Sequence, residues 1–132
     1  VVDAIDVPHG PVPALAYRVR VGGRTVVFGG DQNAGSDAFW DFARDADVLV
    51  AHVAVPDGIQ GPARALHATP DEIGRRAQAA RVRHLVLSHW MRRTLGGPGA
   101  QVASTRPTFT GGVTIARDLD CLPLPPLSTL AR

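Results

Sequence analysis

Cysteine is nearly missing from this 132-residue chain: Cys121 stands alone. It can make no internal disulfide, which sets the expectation of a reducing, cytoplasmic setting. Lysine is missing altogether, and the 14 basic residues are all arginine, for a formal net charge of only +2. Arginine suits bidentate recognition of phosphate or carboxylate. These arginines are scattered, however, and only Arg75–Arg76 and Arg92–Arg93 are adjacent. A composition bias explains them better than the clustered patch of a nucleic-acid binder, so nucleic acid is not expected as a partner. No run approaches the roughly 20 apolar residues of a membrane-spanning helix. No basic-then-apolar leader and no internal repeat is visible.

What is present is a 45% apolar content, enough for one packed core. Ala14-Leu-Ala-Tyr-Arg-Val-Arg-Val21 alternates apolar and charged residues near its end, as a half-buried strand does. Gly22-Gly23 and Arg24-Thr-Val-Val-Phe28 follow, and the Gly-Gly pair predicts a hairpin turn. Ser36 is a candidate N-cap for an amphipathic helix running to about residue 46 through Phe39, Trp40 and Phe42. Asp47-Val-Leu-Val-Ala51 and Arg83-His-Leu-Val-Leu-Ser88 are the short continuous apolar runs of strands buried on both faces.

Between those two strands the stretch 54–66 is expected to be irregular. Thr69-Pro70-Asp71-Glu72 then opens a helix to about residue 80. Thr69 is the cap, Pro70 the first helical residue, and Glu72 the closing member of a capping box. Gly112-Val-Thr-Ile-Ala-Arg117 predicts a last strand. The pattern is α/β, with mainly parallel pairing. Residues 121–132 form a proline-rich tail that belongs on the surface, after a domain of residues 1–120.

Four polar side chains fall at the carboxyl ends of predicted strands: Asp31, His52, His89 and Asp118. In open α/β sheets ligands bind at that rim. A carboxylate and imidazoles converging there would suit zinc or a similar divalent ion. On spacing alone, Asp31 reads equally well as a turn residue after Gly29-Gly30, and His89 as a hydrogen-bonded histidine at a strand end.

Leu49-Val-Ala-His52, His67-Ala-Thr-Pro-Asp-Glu-Ile-Gly74 and Leu85-Val-Leu-Ser-His89 resemble consecutive motifs of the metallo-β-lactamase superfamily. The ribonuclease Z and arylsulfatase-like branch is the most similar. Val26-Val-Phe-Gly-Gly-Asp31 resembles the segment ending in the carboxylate that bridges two metals. Pro8-His9-Gly10 resembles the motif that completes the first metal's ligands. The likeness runs from residue 7 to 120 and implies the C-terminal half of that family's αβ/βα sandwich, a mixed sheet with helices on its outer face.

The resemblance further implies His9, Asp31 and His89 as metal ligands and two divalent ions, zinc first among the candidates. It implies His67, Asp31 and His52 as catalytic residues. His67 would assist proton transfer to the leaving group; its place just before the Thr69 cap favours neutral imidazole, since a helix N-terminus disfavours added positive charge. The plainer reading of His67 is a loop histidine helping to cap the helix. His52 stands where ribonuclease Z-like relatives carry a glutamate that orients the assisting histidine, and imidazole could orient it too or add a proton relay. Asp118 matches a position of structural role. His84 is expected to be structural or exposed, and Trp40 and Trp90 to be packing residues.

The family's His-x-His-x-Asp-His signature occurs nowhere in the 132 residues. With His9, Asp31 and His89 alone, each metal would have two protein ligands where a catalytic zinc normally has three, so the chain by itself should bind zinc weakly. An upstream N-terminal half carrying the missing ligands is the expected partner, with a second copy of the chain as the other way to cover the sheet. The expected function is hydrolysis of a small-molecule ester: a phosphodiester, a sulfate ester or a lactone. Only 21 residues separate His9 from Asp31, too few for a tRNA-clamping arm, which turns the expectation away from tRNA maturation. The alternative is a catalytically inactive half-fold that binds a partner protein.

Overall fold

A computed structural model describes residues 1–124. Six strands form one sheet in the order of the sequence: β1 (Val2–Val7), β2 (Ala14–Val21), β3 (Arg24–Phe28), β4 (Val48–His52), β5 (His84–Ser88) and β6 (Gly112–Ile115). β1, β2 and β3 pair antiparallel, and β3 through β6 pair parallel. Four helices lie between strands: α1 (Asp37–Phe42), α2 (Pro62–Leu66), α3 (Pro70–Ala79) and α4 (Pro98–Thr105). No helix among the described residues is long and apolar enough to cross a membrane.

Local chemistry accounts for most boundaries. The Gly22-Gly23 turn has φ of +55° and +72°, the left-handed pair a two-residue hairpin needs. The Thr69 side chain accepts from the Glu72 amide while the Glu72 carboxylate accepts from the Thr69 amide, the full capping box. Ser36 caps α1 by accepting from the Phe39 amide at 3.2 Å. α1 ends at Phe42, short of the expected residue 46. The chain turns left-handed at Asp45, φ +59°, where the carboxylate takes both Nε and Nη2 of Arg81.

Three elements were not foreseen. β1 is an edge strand whose Asp3 is held by Arg18 and Arg20 of β2. α2 occupies part of the stretch expected to be irregular, and α4 packs on α3.

Strand alternation divides the sheet into two faces. Ala16, Val27, Leu49, Ala51, Leu85 and Leu87 are buried beneath the helices with Phe39, Trp40, Ile73 and Ala77. Trp40, as expected, is a packing residue, its indole N–H donating to the Ala34 carbonyl. The other face bears Val19, Val26, Phe28, Val50, Val86 and His84 and forms a groove of about 430 Å3. Among the described residues, Leu122, Pro123 and Leu124 of the tail line it, and Tyr17, Val21 and Phe28 stay exposed. His84 stands on this open face, hydrogen-bonded to Thr114. Pro125, Pro126 and the rest of the tail lie outside the described residues.

Candidate metal centre

Parallel register assembles the site. Phe28 pairs with Val50 and His52 with Ser88, so the carboxyl ends of β3, β4 and β5 lie at one rim. Asp31 comes three residues beyond Phe28, His52 ends β4, and His89 follows β5. Two backbone features aim them. Gly30 has φ +64°, and a Cβ there would lie 2.5 Å from the Leu15 carbonyl oxygen, so only glycine lets the chain turn toward Asp31. His89 is itself left-handed, φ +57°, a conformation that costs a non-glycine residue about 1–3 kcal/mol and that clusters at functional sites.

Around Asp31 three imidazoles gather. Its Oδ1 is 2.9 Å from His52 Nδ1, 3.5 Å from His89 Nε2 and 3.7 Å from His67 Nδ1. His52 and His89 stack with ring centroids 4.6 Å apart. The donor atoms of Asp31, His52 and His89 all lie within 4.8 Å of one another, the one such set among the described residues. A carboxylate with two imidazoles is donor chemistry that fits a divalent ion such as zinc.

His9 and His67 form the flank. His67 closes α2 and stands two residues before the Thr69 cap of α3, and the Ala68 amide donates to the Gln32 carbonyl, tying this loop to the residue after Asp31. His9 meets His67 edge to face at 5.0 Å. Its Nδ1 lies 3.0 Å from the Leu66 carbonyl, which can only accept. Nδ1 therefore carries a proton, and of the two neutral tautomers this selects the one with its lone pair on Nε2, the tautomer a ligand needs.

The electrostatics follow from this crowding. Partial burial works to raise the Asp31 pKa, but the His52 hydrogen bond and the charges of His89, His52 and His67 outweigh it and hold the carboxyl below its usual range. For His67 burial dominates: it lowers the imidazole pKa, helped by His9, His89 and Arg93 against the pull of Asp31. His67 is thus neutral at pH 7.

A family model for the beta-lactamase superfamily domain matches residues 2–90, two thirds of the chain. The chain belongs to that superfamily. The solved structures it resembles carry the metallo-β-lactamase fold. The metallo-β-lactamase fold protein YhfI from Bacillus subtilis is 28% identical, with a TM-score of 0.77, over 88% of this chain and 46% of YhfI. The short form of human tRNase Z is 22% identical, with a TM-score of 0.69, over 94% of this chain and 43% of the enzyme. A diphosphatase of the PhnP family is 20% identical, with a TM-score of 0.59, over 89% and 40%. The chain therefore spans less than half the length of each. No curated protein matches the chain.

Within this superfamily chain the sequence-derived residues separate. Asp31, His52, His67 and His89 come together, and His9 joins them through the His67 ring. Asp118 is exposed beyond β6 and takes no part in the cluster. His52 was read as able to orient His67 or to add a proton relay; its ring nitrogen makes its hydrogen bond to Asp31. Strand-end placement alone could have suggested this pairing, because Asp31 and His52 close neighbouring parallel strands.

Proposed function

We propose that this chain is the C-terminal, metal-holding half of a hydrolase that cleaves an ester-type centre, be it a phosphodiester, a sulfate ester or a lactone. The observation that carries the reading is the convergence of Asp31, His52 and His89 at the carboxyl rim, with neutral His67 beside them. Two zinc ions bound there would supply Lewis acidity and a hydroxide nucleophile at neutral pH. Asp31 holds the centre of the site, ionised and bonded to His52, and orients the groups on either side. His9 presents its free Nε2 toward the flank, fixed by the Leu66 carbonyl. His67 gives or takes the proton at the leaving-group oxygen, a role its lowered pKa suits.

The partner we assign is an upstream half that carries His-x-His-x-Asp-His and covers the open sheet face. Two observations support it: the uncovered groove over Val26, Val50 and Val86, and a chain that spans 46% or less of its structural relatives. The test is to assay the chain extended upstream to include that signature, with added zinc, on ester substrates of the three classes. Turnover should vanish on chelation, return with zinc, and be abolished by Asp31→Ala in a protein that stays folded. Activity that survives both chelation and Asp31→Ala would refute the metal reading, and no turnover on any of the three classes would favour an inactive binding module.

A further inference from the structure

His52 makes its side-chain hydrogen bond to Asp31, and none joins it to His67 among the described residues. It ends β4, stacks on His89 at 4.6 Å, and turns Nδ1 to Asp31 at 2.9 Å. Zinc bonds of about 2.0–2.1 Å to imidazole and carboxylate set donor atoms about 3.3 Å apart at the corners of a tetrahedron. The separations from Asp31 Oδ1, 2.9 Å to His52 Nδ1 and 3.5 Å to His89 Nε2, bracket that edge. We infer that His52 is itself a metal ligand, so that Asp31, His52 and His89 make a three-ligand zinc site wholly within this chain. It leaves a fourth position open, as catalytic zinc sites do.

The inference rests on the metal reading of the rim but goes beyond it, because it removes the need for outside ligands at one of the two ions. The expectation from His9, Asp31 and His89 alone was two protein ligands per metal and weak binding. With His52 one site is complete. A pre-placed triad also needs little reorganisation: β4 and β5 hold both histidines, and His52 already touches Asp31.

The competing role for His52 is a hydrogen-bond donor that only steadies Asp31. His52→Gln separates the two, since an amide still donates to Asp31 but removes the imidazole. Zinc titration of the metal-free 132-residue chain should find one tight ion per chain. His52→Gln should lower that affinity by about 100-fold or more, at least as much as losing an outer-shell partner costs. His84→Gln, remote from the rim, should leave it unchanged. With cobalt in place of zinc, the unsubstituted chain should give the intense visible absorption of a tetrahedral ion, and His52→Gln should not.

Should the variant fold poorly, NMR-active cadmium bound to the unsubstituted chain decides the matter: scalar coupling to the ring nitrogens of both His52 and His89 is expected. Coupling to His89 alone, zinc affinity unchanged in a folded His52→Gln, or no zinc binding by the unsubstituted chain would each overturn the three-ligand site. Hydrolysis by the upstream-extended protein is measured separately, so its failure would strike the proposed activity and not the ligand assignment.

Discussion

Gly30→Ala tests whether the glycine before Asp31 is an obligatory hinge of the site. At φ +64° an alanine pays the left-handed penalty of about 1–2 kcal/mol. Its Cβ would also lie 2.5 Å from the Leu15 carbonyl oxygen and 3.9 Å from Val7 Cγ2. The nearer of these is strand backbone, which cannot swing aside as a side-chain tip can, so overpacking adds about 1–3 kcal/mol. The total is about 2–5 kcal/mol, and for a chain of this size each kcal/mol lowers Tm by about 4 °C, giving a drop of about 8–20 °C. Gly22→Ala is the matched control: φ is +55° but nothing lies within 4 Å of its Cβ, so only the left-handed cost of about 1–2 kcal/mol remains. Thermal unfolding of both variants, followed by far-ultraviolet circular dichroism, measures the difference. Zinc affinity should fall in Gly30→Ala alone, because relief of the clash moves Asp31. Equal melting temperatures with equal zinc affinity would refute the hinge argument.

Gly74→Ala should destabilise the chain although alanine is the better helix former by about 1 kcal/mol. Its Cβ would meet the Thr105 carbonyl at 2.8 Å and the Thr108 hydroxyl where α3 packs on α4, and a denaturant midpoint at or above the unsubstituted value would count against this packing. His67→Ala in the upstream-extended protein should slow hydrolysis by about 10²–10⁴-fold with metal content retained; loss of metal in parallel would make His67 a ligand. For His84 burial, then the Arg106 charge, lowers the pKa below 6.5. A group whose folded pKa lies below its unfolded value takes up protons more readily when unfolded, so its stabilisation is full above 6.5 and is lost as pH falls below it. His84→Gln should therefore lose less stability than the unsubstituted chain when urea midpoints on either side of 6.5 are compared, and an unchanged pH dependence would dismiss the role.

Local chemistry made part of this protein legible in one dimension. The Thr69–Glu72 box, the Ser36 cap and the Gly22-Gly23 turn each rest on contacts within a few residues, so the sequence alone predicts them where they occur. The apolar runs of β4 and β5 announced buried parallel strands, and their ends placed His52 and His89 at a rim. The elements that escaped depend on distant partners. β1 is a strand because it pairs with β2 from Val2–Val19 to Val7–Ala14, with Asp3 held by Arg18 and Arg20 across the pair. α4 opens on Pro98-Gly99 with no side-chain cap, and holds because Gln101 and Thr105 bury against neighbours, Thr105 donating to the Pro70 carbonyl.

The same division runs through the site. Residue types and motif order named Asp31, His52, His67, His89 and His9 as the chemistry-bearing set. Which of them touch was decided by the parallel register of β3, β4 and β5 and by left-handed backbone at Gly30 and His89, neither of which has a local signature. That register made His52 a hydrogen-bonded neighbour of Asp31, because the ends of β3 and β4, far apart in sequence, lie side by side in the sheet.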